Sequence, residues 1–405
     1  MFRIHLVGIA PGGGLTPEAR EIVRGCGCVV ASSRHRPLVA DAGVAIIPVA
    51  PVAAALTAMA THLAGAEVAV LASGDPLFFG IGRTLGERFG AERLVVHPAL
   101  SSLQVACARF KEPWDDAKVV SLHGRDGQGL AARIMPHHKV FCFTDRQNSP
   151  DRVARALLDA CEAMGDEELA AHYRVWVAEN LGGADERLSQ GSLAEIAART
   201  FDDLNVMLLK RPKRDVEGEI AFGLGEAEIV HSRGLITKDE VRGVTLHQLR
   251  LPREGVFWDV GAGSGSISVE AGRLCPELQV FAVERKVEEL ANIRANCRKF
   301  GVYNLTVVSG EAPAALSGLP APDRVFVGGS SGNLAGIIAL AASRLKTGGR
   351  LVVNGVLDKT KRIAPELLHS NGLTVTIHDL AVQRRSFPDH NETTMNPIAI
   401  MVGEK

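Results

Sequence analysis

After an apolar, β-branched run, Val256-Phe-Trp-Asp-Val260, the chain places an acid and then glycines at every second position, Asp259-Val-Gly261-Ala-Gly263-Ser264-Gly265, ahead of a helical stretch from Ile267 to Leu274. No other feature restricts the fold as much. Glycines so spaced let the backbone turn sharply and come close to a ligand, and the helix that follows offers N–H groups with no partner of their own. A nicotinamide dinucleotide fingerprint requires G-x-G-x-x-G, and its third glycine would fall at position 266, which is Ser. The spacing argues against that cofactor.

The loop sits in a regular setting. Short β-branched runs read as buried strands at Val256–Val260, Val280–Val283, Leu305–Val308, Arg324–Val327 and Arg350–Val353, and in the first half at Val68–Ala72, Leu94–His97, Val140–Phe143 and Val175–Ala178. Longer Ala/Leu/Arg segments such as Asp151 to Ala163 lie between them. Alternation of this kind predicts parallel-rich α/β sheets with ligands at the carboxyl ends of strands. A length of 405 residues exceeds what one core usually serves, and the charged, Pro- and Gly-bearing segment after Asn205–Leu209 marks a boundary. Domains are expected at 1–211 and 212–405.

The D-x-G-x-G-x-G spacing resembles motif I of the class I S-adenosylmethionine-dependent methyltransferases. Glu284 ends the next strand, 25 residues after Asp259, where an acid can accept hydrogen bonds from both ribose hydroxyls. Gly310-Glu311-Ala312 follows the third strand, where that family places an acid near the adenine amino group. The resemblance implies that Asp259, Gly261, Gly263, Ser264, Gly265, Glu284, Gly310, Glu311 and Ala312 bind the cofactor. The segment after Asp323, Arg324-Val-Phe-Val-Gly328-Gly329-Ser330, lacks the Asn-Pro-Pro-Tyr type of sequence used on nucleobase or amide nitrogen, which favours a carbon acceptor. Upstream, His231-Ser-Arg233-Gly-Leu-Ile-Thr237-Lys238-Asp-Glu240-Val-Arg242 has two readings. Thr237 to Glu240 is a capping box that would start a helix. Arg233, Thr237, Lys238 and Arg242 also form a candidate clamp for substrate carboxylates, and they are the residues expected to serve the catalytic site.

The first half carries Leu6-Val-Gly8-Ile-Ala-Pro11-Gly12-Gly13 after its first strand, then Thr16-Pro17 as a helix cap, Gly74-Asp75-Pro76-Leu77 after another strand, and Ser101-Ser102 after a third. In this order they resemble the tetrapyrrole methylase family, with further matches at Ser121-Leu-His123-Gly124-Arg125, Asn180-Leu-Gly182 and Glu186-Arg187. The resemblance spans about residues 3 to 211. It implies that Gly74, Asp75, Pro76, Leu77, Ser101 and Ser102 line a second S-adenosylmethionine site between two α/β lobes, and that the Gly8–Gly13 loop faces a tetrapyrrole. Ala10 stands where the family usually has Gly, and Arg34-His35-Arg36 is a local basic cluster.

The expected architecture is therefore α/β, a two-lobed tetrapyrrole methylase fold followed by a Rossmann-like class I methyltransferase domain. The fusion resembles a family of bifunctional, decarboxylating precorrin methyltransferases of cobalamin biosynthesis. This implies methylation of C5 by the first domain, and methylation of C15 with loss of the C12 acetate carboxylate by the second. One S-adenosylmethionine per domain, a precorrin substrate and a homo-oligomer follow from the resemblance, with no nucleic acid or membrane partner. The alternative is an RNA methyltransferase with an N-terminal recognition domain. Against it stand 45 basic and 46 acidic residues, split 22 to 24 through Arg211 and 23 to 22 after it, and an aromatic content of 5%. Seven scattered Cys, with only Cys26 and Cys28 close together, argue for a reducing compartment and against a metal site. The opening MFRIHLVGIAPGGG is too short for a signal-peptide core, so a cytoplasmic protein is expected.

Overall fold

The computed structural model describes residues 2–123, 129–213, 222–232 and 236–405. The chain divides into two compact units, one of residues 1–127, 139–155 and 173–211, the other of 128–138, 156–172 and 212–405. The division between Arg211 and Pro212 falls where the sequence changes character, while 128–138 and 156–172 group with the second unit.

In the first unit, strands β1 (Ile4–Ile9), β2 (Cys28–Ala31), β3 (Ala45–Pro48), β4 (Val68–Ser73) and β5 (Leu94–His97) form a parallel sheet in the order β3-β2-β4-β1-β5. It is covered on both faces, so its central strands are apolar at successive positions: Ile4 and Leu6 pack into one cluster, Val7 and Ile9 into the other. The helix Pro17–Gly25 begins as its sequence dictates, with Thr16 Oγ1 accepting from the Ala19 amide at 3.2 Å and Pro at the first position. A second lobe holds β6 (Lys118–Ser121), β7 (Lys139–Phe143), β8 (Arg174–Glu179), β9 (Arg187–Gly191) and β10 (Asn205–Lys210) in the mixed order β6-β7-β10-β8-β9.

The second unit is built on β11 (Glu254–Val260), β12 (Glu277–Glu284), β13 (Leu305–Ser309), β14 (Arg324–Val327), β15 (Arg350–Gly355) and β16 (Thr374–Leu380), a hairpin of β17 (Gln383–Arg385) and β18 (Glu392–Thr394), and β19 (Ile398–Glu404). The sheet order is β13-β12-β11-β14-β15-β19-β16, parallel except for β19, which runs antiparallel to β15 and β16. Phe257 points to one face and Val256, Trp258 and Val260 to the other, each face closed by helices. The order reverses between β11 and β14, which opens a crevice at their carboxyl ends. These strand orders are the two-lobed methylase architecture followed by a Rossmann-like methyltransferase domain. Among the described residues no helix is long and apolar enough to cross a membrane.

Two buried polar ties brace this unit. Asp259, at the end of β11, accepts from Ser268 Oγ at 2.5 Å, and its other oxygen has no hydrogen-bond partner among the described residues; burial pushes its carboxyl up to about 7. Arg242, expected in the carboxylate clamp, is instead fully buried. Its guanidinium donates to Glu270 at 3.0 Å, to the Thr237 carbonyl at 2.8 Å, to Asp239 at 2.8 Å and to the Leu224 carbonyl, so it ties the segment before β11 to the helix Ser266–Leu274. The capping box is not formed either. With the Thr237 carbonyl taken by Arg242, the helix runs Asp239–Leu249 and Lys238 precedes it without a side-chain cap.

Arg242→Ala leaves Glu270 charged and buried without its cation. The unfolding midpoint of the C-terminal unit in urea should fall by the equivalent of about 3–5 kcal/mol. Asp259 gives a pH signature. The folded protein holds its proton to about pH 7, whereas an unfolded chain releases it near pH 4. The folded state thus binds more protons across that interval and loses stability as the pH rises through it. Asp259→Asn removes the loss, so the melting temperature of the variant relative to the parent should climb from acid to mildly alkaline pH.

Candidate functional site

The C-terminal cavity occupies about 890 Å³ at the crevice between β11 and β14. Its floor is the loop after β11. Gly261 has φ +68°, and a Cβ there would lie 2.5 Å from the Gly329 carbonyl oxygen, so only glycine lets this loop pass the one after β14. Glu284, at the end of β12, accepts from the Gly263 amide at 3.0 Å through Oε2 and from the amides of Arg285 and Lys286 at 2.8 and 3.0 Å through Oε1. Its carboxylate is thereby fixed, nearly buried, on the cavity wall.

Gly310 lies beside it, its amide donating to the Glu284 carbonyl at 3.0 Å, and the exposed Glu311 is 3.6 Å from Arg285. Of the residues expected around this cofactor, Gly261, Gly263, Ser264, Glu284, Gly310, Glu311 and Ala312 line the cavity. Gly265 starts the helix Ser266–Leu274 at φ +76°, and Asp259 stands behind the wall. Thr237 and Lys238 also line the cavity, and the Lys238 ammonium is 2.5 Å from Glu226. Arg233 lies outside the described residues. Sequence reasoning missed Asn354, Val356 and the segment Thr394–Asn396 on the same wall, because none belongs to a motif.

The N-terminal cavity, about 850 Å³, lies within the first unit and is lined from both of its sheets. Gly8–Gly13, Gly74-Asp75 and Ser101-Ser102, far apart in sequence, meet here because β1, β4 and β5 are neighbours and end on the same side. Gly74 has φ +65°, and a Cβ on it would stand 2.9 Å from Ser101 Cα, so these two loops touch through backbone. Asp75 accepts from the Leu77 amide at 2.8 Å and holds the turn. Pro76 and Leu77 shape that turn without lining the cavity, and Leu77 is exposed. Ser101 is buried and caps the helix Ser102–Phe110 in a box with Gln104, a signal readable from Ser-x-x-Gln. From the basic cluster, Arg34 and His35 reach the wall, with Arg34 donating to Ser73, while Arg36 does not. Burial, and then Arg34, hold the His35 imidazole below its ordinary pKa. His123 lines the cavity; Gly124 and Arg125 lie outside the described residues. Among the described residues no group of three or more His, Cys, Asp or Glu side chains is placed to hold a metal ion.

Residues 3–197 match the family model of Tetrapyrrole (Corrin/Porphyrin) Methylases, and residues 228–386 match that of a precorrin methyltransferase domain. A precorrin-6Y C(5,15)-methyltransferase [decarboxylating] of Sinorhizobium sp is 37% identical over 362 residues, 87% of this chain and 84% of that protein. The protein of the same name from Mycobacterium tuberculosis (strain CDC 1551 / Oshkosh) is 32% identical over 370 residues, 87% of each chain. A cobalt-precorrin-6B C(15)-methyltransferase (decarboxylating) of Salmonella typhimurium is 41% identical over 124 residues, 31% of this chain and 64% of that one. With matches across both halves and over most of each full-length relative, the chain belongs to the precorrin-6Y C5,15-methyltransferase (decarboxylating) family and is an S-adenosylmethionine-dependent methyltransferase.

Proposed function

We propose that the family's two methylations are divided between the two units. Residues 1–211 methylate C5 of a precorrin; residues 212–405 methylate C15 and release the carboxylate of the C12 acetate side chain. The observation that carries this reading is a pair of unlike cavities, each built within its own unit at the carboxyl ends of parallel strands. The Salmonella relative, named for the C15 step alone, supports the step being separable. The reaction as a whole, S-adenosylmethionine-dependent methylation at C5 and C15 with decarboxylation, is that of the family, which sets the RNA alternative aside.

The residues of both cavities fit the cofactor. In the C-terminal unit the glycine loop is a cradle that side chains would fill, and Glu284 is an acceptor fixed for ribose hydroxyls, with Gly310 and Glu311 beside it for the adenine. In the N-terminal unit Gly74, Asp75, Ser101 and Ser102 form the equivalent cradle. S-adenosylmethionine supplies an electrophilic methyl group, and the bridging carbons of a reduced tetrapyrrole are enamine-like and accept it without a strong base. What remains for the protein is to place the acceptor in line and exclude water. The C12 acetate side chain loses its carboxylate as carbon dioxide; the electron pair of the broken C–C bond passes into the conjugated macrocycle, and a proton taken up by the side-chain carbon leaves a methyl group. Thr237 and Lys238, on the wall of the C-terminal cavity, are positioned to meet the substrate's acidic side chains, with the Lys238 ammonium shared with Glu226. The protein works in the cytoplasm as a homo-oligomer, a reading supported for the compartment by its seven cysteines, six of them buried and none in a disulfide.

Calorimetric titration of the full chain with S-adenosylmethionine should give two sites, and Gly74→Val and Glu284→Ala should each leave one. In a mass assay with the precorrin substrate, the parent should add two methyl groups and lose one carbon dioxide. Glu284→Ala should stop after one methyl with the carboxylate retained, while Gly74→Val should lose the C5 methyl. Loss of both methyls in Glu284→Ala, with one cofactor still bound, would overturn the division of labour.

A further inference from the structure

The hairpin β17–β18 is not part of the seven-stranded sheet; its strands pair with each other. It is closed internally by Arg385 with Glu392 at 3.0 Å, Gln383 with Glu392 at 3.0 Å, and the Ser386 amide on the Asn391 carbonyl at 2.9 Å. Among the described residues, its hydrogen bonds to the rest of the unit are all made by Arg384. That guanidinium forks onto Glu240, Nε to Oε1 and Nη2 to Oε2, both at 2.7 Å, and Nη2 also reaches Glu226 Oε1 at 2.8 Å. The other oxygen of Glu226 takes Lys238. Glu240 sits in the first turn of the helix Asp239–Leu249, and Asp239 lies 4.0 Å from Arg384, so this segment, Glu226 and the hairpin are clasped by one network in which Arg384 and Lys238 meet three carboxylates.

An exposed ion pair usually contributes little, but a bidentate fork within a network is the exception. The fork holds the Glu240 carboxyl below its ordinary pKa, against a smaller opposing effect of burial. The clasp matters because of what the hairpin carries. Thr394 ends β18, and Thr394, Met395 and Asn396 form part of the C-terminal cavity wall. With the cofactor placed at Gly261, Glu284 and Gly310 as proposed above, Lys238, Asn354, Val356 and Thr394–Asn396 are cavity-lining residues left for the acceptor.

We propose that Arg384, gripped by Glu240 and Glu226, is a positioning residue for the methyl acceptor: it fixes the strap that ends in Thr394–Asn396 and so sets how the macrocycle lies in the C-terminal cavity. Glu240 and Arg242 of the Thr237–Arg242 segment then anchor this strap and its helix, while Thr237 and Lys238 stay on the cavity wall. The proposal rests on the C-terminal unit performing the C15 step.

The test uses the full chain with Arg384→Gln, Glu240→Gln and the double variant, following C5 and C15 products separately by mass. Each single variant should raise KM for the tetrapyrrole in the C15 step by about tenfold, with kcat within about twofold of the parent. S-adenosylmethionine affinity and the C5 step should not change. The double variant should be no worse than either single, since both remove one interaction. Unchanged KM, effects that add in the double variant, or a lowered melting temperature with cofactor binding lost alongside would each overturn the positioning role. A KM rise confined to C5 methylation would keep that role and overturn the assignment of C15 to this unit.

Discussion

The hydrogen bond from the Gly263 amide to Glu284 joins the ends of two adjacent strands, and the cofactor side of the C-terminal cavity depends on it. A carboxylate that accepts three backbone N–H groups is held far more firmly than a surface acid. The start of the helix Val287–Phe300 lies just beyond it, where negative charge is favoured. The arrangement has two preconditions. Strand order must reverse beside β11 to open the crevice, and Gly261 must lack a side chain so that the loops after β11 and β14 can cross.

The N-terminal unit reaches a similar end by other means. There the cradle is assembled from three separate loops, and the contact between Gly74 and Ser101 is backbone against backbone. Ser101 has a second duty as the cap of its helix, so the loop that lines the cavity is also fixed by helix formation. On the reading proposed above, the two cavities are built in different ways: around an acid locked by amides in one, and from loops pressed together without side chains in the other.

The sequence carried the architecture well because the β1–β5 sheet and the seven-stranded sheet are covered on two faces and their strands are written as short β-branched runs; the Leu94–His97 and Arg324–Val327 strands run between the residues expected. The glycine loop and Glu284 were legible because their chemistry is local. Arg242 was not. Its spacing from Lys238 suggested one helical face, but what decides its role is Glu270, a buried acid 28 positions later that no short-range pattern reveals. Of the two readings of Thr237, the capping box fails: its carbonyl accepts from Arg242 and the helix begins at Asp239, while the residue itself lines the cavity. Arg384 went unremarked because its partners lie more than 140 residues away.

The junction at Arg211 and Pro212 has a consequence outside the folded state. A cell that makes the two methylating units from separate genes can adjust one against the other. On the division of labour proposed above, translation of this one chain yields the two in strict equality, so no change in expression can enrich one half-reaction over its companion. Any imbalance in the flow of singly methylated material must then be corrected by evolving a turnover number, which places the selective pressure on the slower cavity.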